Sequence, residues 1–159
     1  MTMPSNPTPT SDSYSVYSVV GDRYTFLLTG AQTDGAYFVF EAFVPPGSGS
    51  PPHVHHREDE AFYVIDGEFE FTVAGAAIRV GAGQSVFGRR DVPHNFKNVG
   101  STPGRMIVTL TPAGLENFFA EIGTPLQSRQ EAPLPPSPED IAKLVQTAPK
   151  YDLELITPH

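Results

Sequence analysis

The chain has 159 residues with no Cys, no Trp and no apolar run near the roughly 20 residues that a bilayer-spanning helix needs. Disulfide scaffolds, thiolate metal sites and cysteine nucleophiles are thereby excluded, so any metal must bind through His, carboxylate or water. Eighteen acidic residues against ten Lys and Arg give a formal net charge of −8, a field that disfavours nucleic acid and anionic membrane.

Seventeen Pro and fourteen Gly beside eleven Phe point to short strands and tight turns around an aromatic core. The length suits one domain with a sizeable core. Residues 1–12 lack the basic and apolar regions of a signal peptide and read as a disordered tail. With no disulfide to form, a cytoplasmic location is the expectation.

Residues 13–20 and 23–29, rich in Tyr, Val, Thr and Phe, read as two strands around Gly21-Asp22. Asp34-Gly35 is a turn. Residues 36–44 form the clearest early strand, with Phe38, Phe40, Ala42 and Val44 on one face. Next comes Gly-Ser-Gly-Ser-Pro-Pro, a loop by composition, which leads into His53-Val54-His55. On a strand, residues two apart share a face, so both imidazoles point the same way. Two neutral imidazoles and a carboxylate converging on a point suit Fe, Mn, Ni, Cu or Zn, and Glu58, Asp59 and Glu60 all stand nearby.

Residues 61–65 then run as a strand to an Asp66-Gly67 turn, and residues 68–73 alternate strictly, with Phe69, Phe71 and Val73 inward. Strands are expected at 77–80 and 84–88, then from Asp91-Val92-Pro93-His94 to near residues 98–100, and at 105–111. About nine short strands at hairpin spacing, with no helix between them, make residues 13–111 an antiparallel barrel or sandwich.

The pattern changes at Pro112. Residues 113–122 read as a helix capped by Thr111 and stopped by Gly123. A Pro-rich connector, 124–136, leads to Ser137-Pro138-Glu139-Asp140, a helix start with a proline and two acids in its first turn. That helix carries Ile141, Leu144 and Val145 on one stripe, and residues 151–156 read as a last extended segment. Residues 112–159 are thus expected to be a helical, Pro-rich arm packing on the barrel.

Gly47, His53, His55, Glu60 and Gly67 match every fixed position of G(x)5HxH(x)4E(x)6G, and Gly83, His94 and Asn98 match G(x)5PxG(x)2H(x)3N. These are the two motifs of the cupins, which the chain resembles. It departs from the second where Arg89 replaces the proline and Asp91 the glycine. The resemblance implies a cupin-type double-stranded β-helix, a jelly-roll barrel, holding one divalent transition metal (Fe, Mn, Ni, Cu, Co or Zn). Its ligands would be His53, His55, Glu60 and His94, with Glu60 the leading acid and Asp59 the alternative. Glu58 and Asp59 would form a solvated acidic turn. His56, on the opposite strand face, is expected outside the ligand set, Arg89 and Arg90 in a turn at the mouth, and His159 at a disordered end.

The Pro-Pro-His-Val-His-His-Arg-Glu-Asp-Glu run, the Pro-Ala-Gly-Leu-Glu-Asn-Phe-Phe helix and the Tyr-Asp-Leu-Glu-Leu tail are similar to single-domain proteins of the quercetin 2,3-dioxygenase kind. That similarity implies a metal-dependent dioxygenase acting with O2 on a small phenolic or enolic substrate. Glu60 would be both ligand and base. Phe40, Phe62, Phe71, Phe87, Phe96 and Met106 read first of all as barrel filling, with some of them lining a pocket for a planar apolar ligand. The alternatives are a non-catalytic binding or sensor cupin, or a metal-dependent isomerase, decarboxylase or C–C lyase. Unpaired strand edges make a homodimer the default, with no nucleic acid or membrane partner.

Overall fold

The computed structural model describes residues 14–156; the expected N-terminal tail and His159 lie outside them. Twelve strands are present among the described residues: β1 (Val16–Val19), β2 (Asp22–Leu28), β3 (Phe38–Val44), β4 (His53–His55), β5 (Asp59–Asp66), β6 (Glu68–Val73), β7 (Ala76–Gly81), β8 (Ser85–Gly88), β9 (His94–Asn98), β10 (Gly104–Thr111), β11 (Thr124–Pro125) and β12 (Leu153–Leu155). Three helices accompany them: α1 (Gly30–Thr33), α2 (Leu115–Ile122) and α3 (Pro138–Thr147).

The strands form two sheets, of order β11-β1-β2-β3-β10-β5-β8 and β12-β4-β9-β6-β7. All their mutual pairings are antiparallel. Alternation in the sequence decides which face is inside. In β5, Glu60, Phe62 and Val64 are buried while Ala61 and Tyr63 face out; in β3, Phe38, Phe40, Ala42 and Val44 turn inward. Phe38, Phe69, Phe71, Met106 and Leu110 are fully buried between the sheets. Each such side chain contributes roughly 2 kcal/mol by its apolar area. The result is an antiparallel barrel, one of the two forms that the strand spacing allows, and it has the jelly-roll form that the resemblance implies.

Several details differ from the sequence expectations. α1 is a single turn inserted before Asp34, which adopts a left-handed φ of 55°. α2 begins at Leu115 rather than at residue 113: the Glu116 carboxylate accepts from the Gly114 and Gly30 amides, while the Thr111 hydroxyl donates to the Ala36 carbonyl at 2.9 Å. Of the stripe on α3, only Leu144 is buried; Ile141 and Val145 are exposed. The α3 cap is as predicted, with the Ser137 hydroxyl accepting from the Asp140 amide at 3.1 Å.

The segment after Pro112 extends both sheets as well as packing on them. β11 pairs with β1, and β12 pairs with β4 in the register Leu153↔His55 and Leu155↔His53. Leu115, Phe118 and Ile122 of α2 are buried in the barrel core. No helix among the described residues is long and apolar enough to cross a membrane.

Candidate metal centre

Three of the four expected ligands come from one sheet and the fourth from the other. His53 and His55 sit two residues apart on β4, so strand alternation sends both rings inward, and His53 pairs across to His94 on β9. Glu60 enters from β5 in the seven-stranded sheet. All four are buried, and one ligand atom from each lies within 4.8 Å of the others.

Anchors outside the cluster fix which ring nitrogen faces in. The His53 Nδ1–H donates to the Pro51 carbonyl at 2.7 Å, and His94 Nδ1 lies 3.3 Å from the Val92 carbonyl. His55 Nδ1 faces Glu58 Oε1 at 3.7 Å. Each Nε2 is thereby left for the centre, the arrangement that holds metal-ligating imidazoles in one tautomer. On the inner side Glu60 Oε1 lies 2.8 Å from His94 Nε2 and 3.2 Å from His55 Nε2. Gly88, paired with Glu60 across β5 and β8, gives the His94 ring its space: a Cβ there would fall 3.0–3.3 Å from three ring atoms.

The four groups are crowded together, and His55 is left without an aligned hydrogen bond. Burial, reinforced by His55 and His94, lowers the His53 pKa to about 3, so this ring is neutral and ready to ligate. Burial also works against a charged His55, but Glu60 and Glu58 outweigh it and raise its pKa to about 9. Burial would raise Glu60 too, yet His55 and then His94 hold it well below the usual carboxylate range. Neither His55 nitrogen nor either Glu58 oxygen has an aligned hydrogen bond, although Glu60 is close. His94 Nε2 lies 2.8 Å from the same Glu60 oxygen that faces His55 Nε2 at 3.2 Å, so one carboxylate oxygen is shared between two imidazoles. An orphaned buried imidazole beside two further inward-facing imidazoles and a shared carboxylate oxygen is a pattern that a cation between them resolves. Three imidazoles and one carboxylate fit a divalent transition ion.

The cavity beside this centre offers about 80 Å³ of water-accessible space and is partly open to solvent. Phe40, Phe62 and Phe96 stand in its wall, whereas Phe71 and Met106 are fully buried and are not among the residues that line it. Phe87 requires correction: on edge strand β8 it points outward and is 59% exposed. The solvated acidic turn is also corrected, because Glu58 is 1% exposed behind His55. Asp59 is not in the cluster; it accepts from the Arg90 amide at 2.8 Å and pairs with that guanidinium. His56 is on the surface between Asp91 and Glu154, 2.8 Å from each, and Arg89 is exposed. Asp91 stands where the motif has glycine and takes the left-handed φ of 68° itself, so the turn keeps its shape.

Two polar residues of the cavity wall, Asp22 and Tyr24, were not read as site residues from the sequence. The signal was weak, since Gly-Asp before a strand is ordinary turn chemistry. Leu115, Phe118, Leu144 and Leu153 bring the C-terminal segment into the same wall.

Comparison with known proteins agrees with this geometry. A family model described as "Cupin domain" matches residues 40–110. The polyketide synthase CurC of Streptomyces cyaneus is 33% identical over 106 residues, covering 65% of this chain and 68% of that protein. Among solved structures, an RmlC-like cupin from Shewanella frigidimarina superposes with a TM-score of 0.60 at 25% identity, over 72% of this chain and 96% of that one. A recombinant oxalate oxidase in complex with glycolate gives 0.51 at 27% identity, over 58% of this chain and 52% of that one. With both motifs, the barrel and the ligand cluster in place, the chain belongs to the cupin superfamily.

Proposed function

We propose that the protein is a mononuclear metal-dependent enzyme, a dioxygenase or related oxidoreductase acting on a small phenolic or enolic substrate. The observation that carries this reading is the convergence of His53, His55, His94 and Glu60 on one point in the wall of an apolar cavity. A divalent transition ion held there supplies Lewis acidity toward a hydroxyl oxygen and, where the ion is redox-active, a path for electrons to O2. Glu60 would accept the proton of the incoming hydroxyl, whose acidity the bound ion would raise, so that the substrate enters as its anion while Glu60 becomes a neutral acid. The aromatic wall of Tyr24, Phe40, Phe62 and Phe96 orients a planar substrate and keeps water away from its anion.

The relatives support this class. Polyketide chemistry makes phenols and enolic diketones, and CurC bears the name of a polyketide synthase. An oxalate oxidase among the structural neighbours supports an oxidative reaction. Isomerase, decarboxylase or binding-protein behaviour would use the same ligands without consuming O2.

Elemental analysis of untagged wild type beside His53→Ala and His94→Ala tests the centre. About one equivalent of Fe, Mn, Ni, Cu or Zn in the wild type, lost in both variants, is expected. The metal found then sets the conditions for an O2-uptake screen of flavonols, diketones and phenols. Absence of metal after reloading with each ion would sink the reading. Stoichiometric metal with ligand binding but no O2 uptake would leave the non-oxidative alternatives.

A further inference from the structure

Asp22 is a buried carboxyl that the metal centre does not use. It opens β2, is 2% exposed, and faces the cavity that His53, His55 and Glu60 also line. Strand alternation puts Tyr24 on the same face, one step further along. Among the described residues the Ser48 hydroxyl is its hydrogen-bond donor, reaching Oδ1 at 2.6 Å, and no cation pairs with it. Its neighbour Arg23 points to the other side of the sheet, where it lies over the Phe43 ring.

A carboxyl buried with one hydroxyl partner is expensive unless something else uses it. Burial raises its pKa to about 7, with the Ser48 hydroxyl opposing, so a proton sits on it more readily than on a surface Asp. The hydroxyl of Tyr24, in the same cavity wall as Asp22 and Glu60, is pushed well above its ordinary value by burial, then by those two carboxylates, and keeps its proton. Elsewhere the wall is mostly aromatic and aliphatic, and in such cavities a few polar groups fix ligand orientation.

We infer that Asp22, supported by Ser48 and flanked by Tyr24, is a second recognition point that hydrogen-bonds an oxygen at the end of the ligand remote from the metal centre. This rests on the metal-centred reading and narrows its substrate class. The ligand is a rigid, planar, mostly apolar molecule with one acidic hydroxyl for the metal end and a further oxygen for the Asp22 end.

The probes are 2-naphthol, which has a single oxygen, and 2,6- and 2,7-dihydroxynaphthalene, which have oxygens at both ends. All three fluoresce, and a protein without Trp leaves that signal clear. Affinities are measured on zinc-loaded wild type, Asp22→Ala and the near-isosteric Asp22→Asn, each checked for melting temperature and zinc content. One dihydroxy probe is expected to bind wild type about three- to tenfold more tightly than 2-naphthol, the span of one net hydrogen bond. Asp22→Ala should erase that ratio with 2-naphthol unchanged, and Asp22→Asn, which still donates and accepts, should retain it. Equal affinities in wild type, a ratio surviving in Asp22→Ala, or a parallel loss for all probes would overturn the inference and leave the metal reading standing. No binding of any probe to zinc-loaded wild type would overturn both.

Discussion

Glu60 is asked to be two things at once, a partner of His55 and His94 and an acceptor of a proton from outside. Glu60→Gln keeps size and an oxygen donor but removes the charge, so it should retain part of the metal while turnover falls by at least about 100-fold. Full turnover in that variant, measured as O2 uptake per bound metal, would refute the dual role. Loading should also depend on pH. Without metal, His55 holds a proton up to about pH 9, and that proton must leave before Nε2 can ligate. Apparent affinity should therefore rise about tenfold per pH unit from 6 to 8, flattening near 9, in chelator-competition titrations. Asp22 acts on stability in the opposite sense to a paired acid. Its pKa goes from 3.8 to about 7 on folding, so the folded state holds the extra proton between those values. That contribution is fully present below pH 3.8 and is lost as pH rises through 7, at about 1.4 kcal/mol per unit. Relative to wild type, Asp22→Asn should gain stability from pH 4 to 7 and stay level above, by at most about 4 kcal/mol in denaturant melts. A pH-independent difference would show that Asp22 is not the group responsible.

The strand elements set the precision of the centre. β8 lies at the edge of its sheet and contributes no ligand, yet its Gly88 pairs with Glu60 and makes room for the His94 ring. Gly88→Ala should displace that ring by a few tenths of an ångström and weaken metal binding about 10-fold or more, the scale of changes behind a ligand. Unchanged affinity in the same competition assay would mean that β8 yields without moving His94. None of this was legible in the sequence, where Gly88 closed a strand and had no partner. What was legible came from short-range rules. Period-two alternation separated the faces of β3 and β6, and the two-residue spacing put His53 and His55 on one side of β4. Alternation fails where tertiary partners decide. Phe87 obeys strand alternation but sits outside an edge strand, and Glu58 lies in a loop that folds inward behind His55. Asp22 looked like half of a turn, because burial under Ser48 depends on a contact 26 residues away.

At the scale of the whole molecule, the centre is a joint between two sheets. His53, His55 and His94 belong to the five-stranded sheet and Glu60 to the seven-stranded one, so an ion bound by all four ties the layers together. The joint is reinforced from the C-terminal side, where β12 runs along β4 and places Leu153 and Leu155 opposite the two histidines. An ion that binds the folded chain and not the unfolded one stabilises it by RT ln(1 + [L]/Kd), about 2.7 kcal/mol at a hundredfold excess over Kd. For a domain of this size each kcal/mol moves the melting temperature by about 2–4 °C, so saturating Zn2+ should raise it by roughly 5–10 °C. The sheet-joining geometry makes a sharper demand than mass action alone. His94→Ala removes one of the four ligands and should abolish the increment by lost occupancy, and Glu60→Ala should abolish most of it although all three histidines remain. If the zinc increment survived in Glu60→Ala at matched occupancy, the ion would be stabilising one sheet alone, and the barrel would be held by its aromatic core without help from the centre.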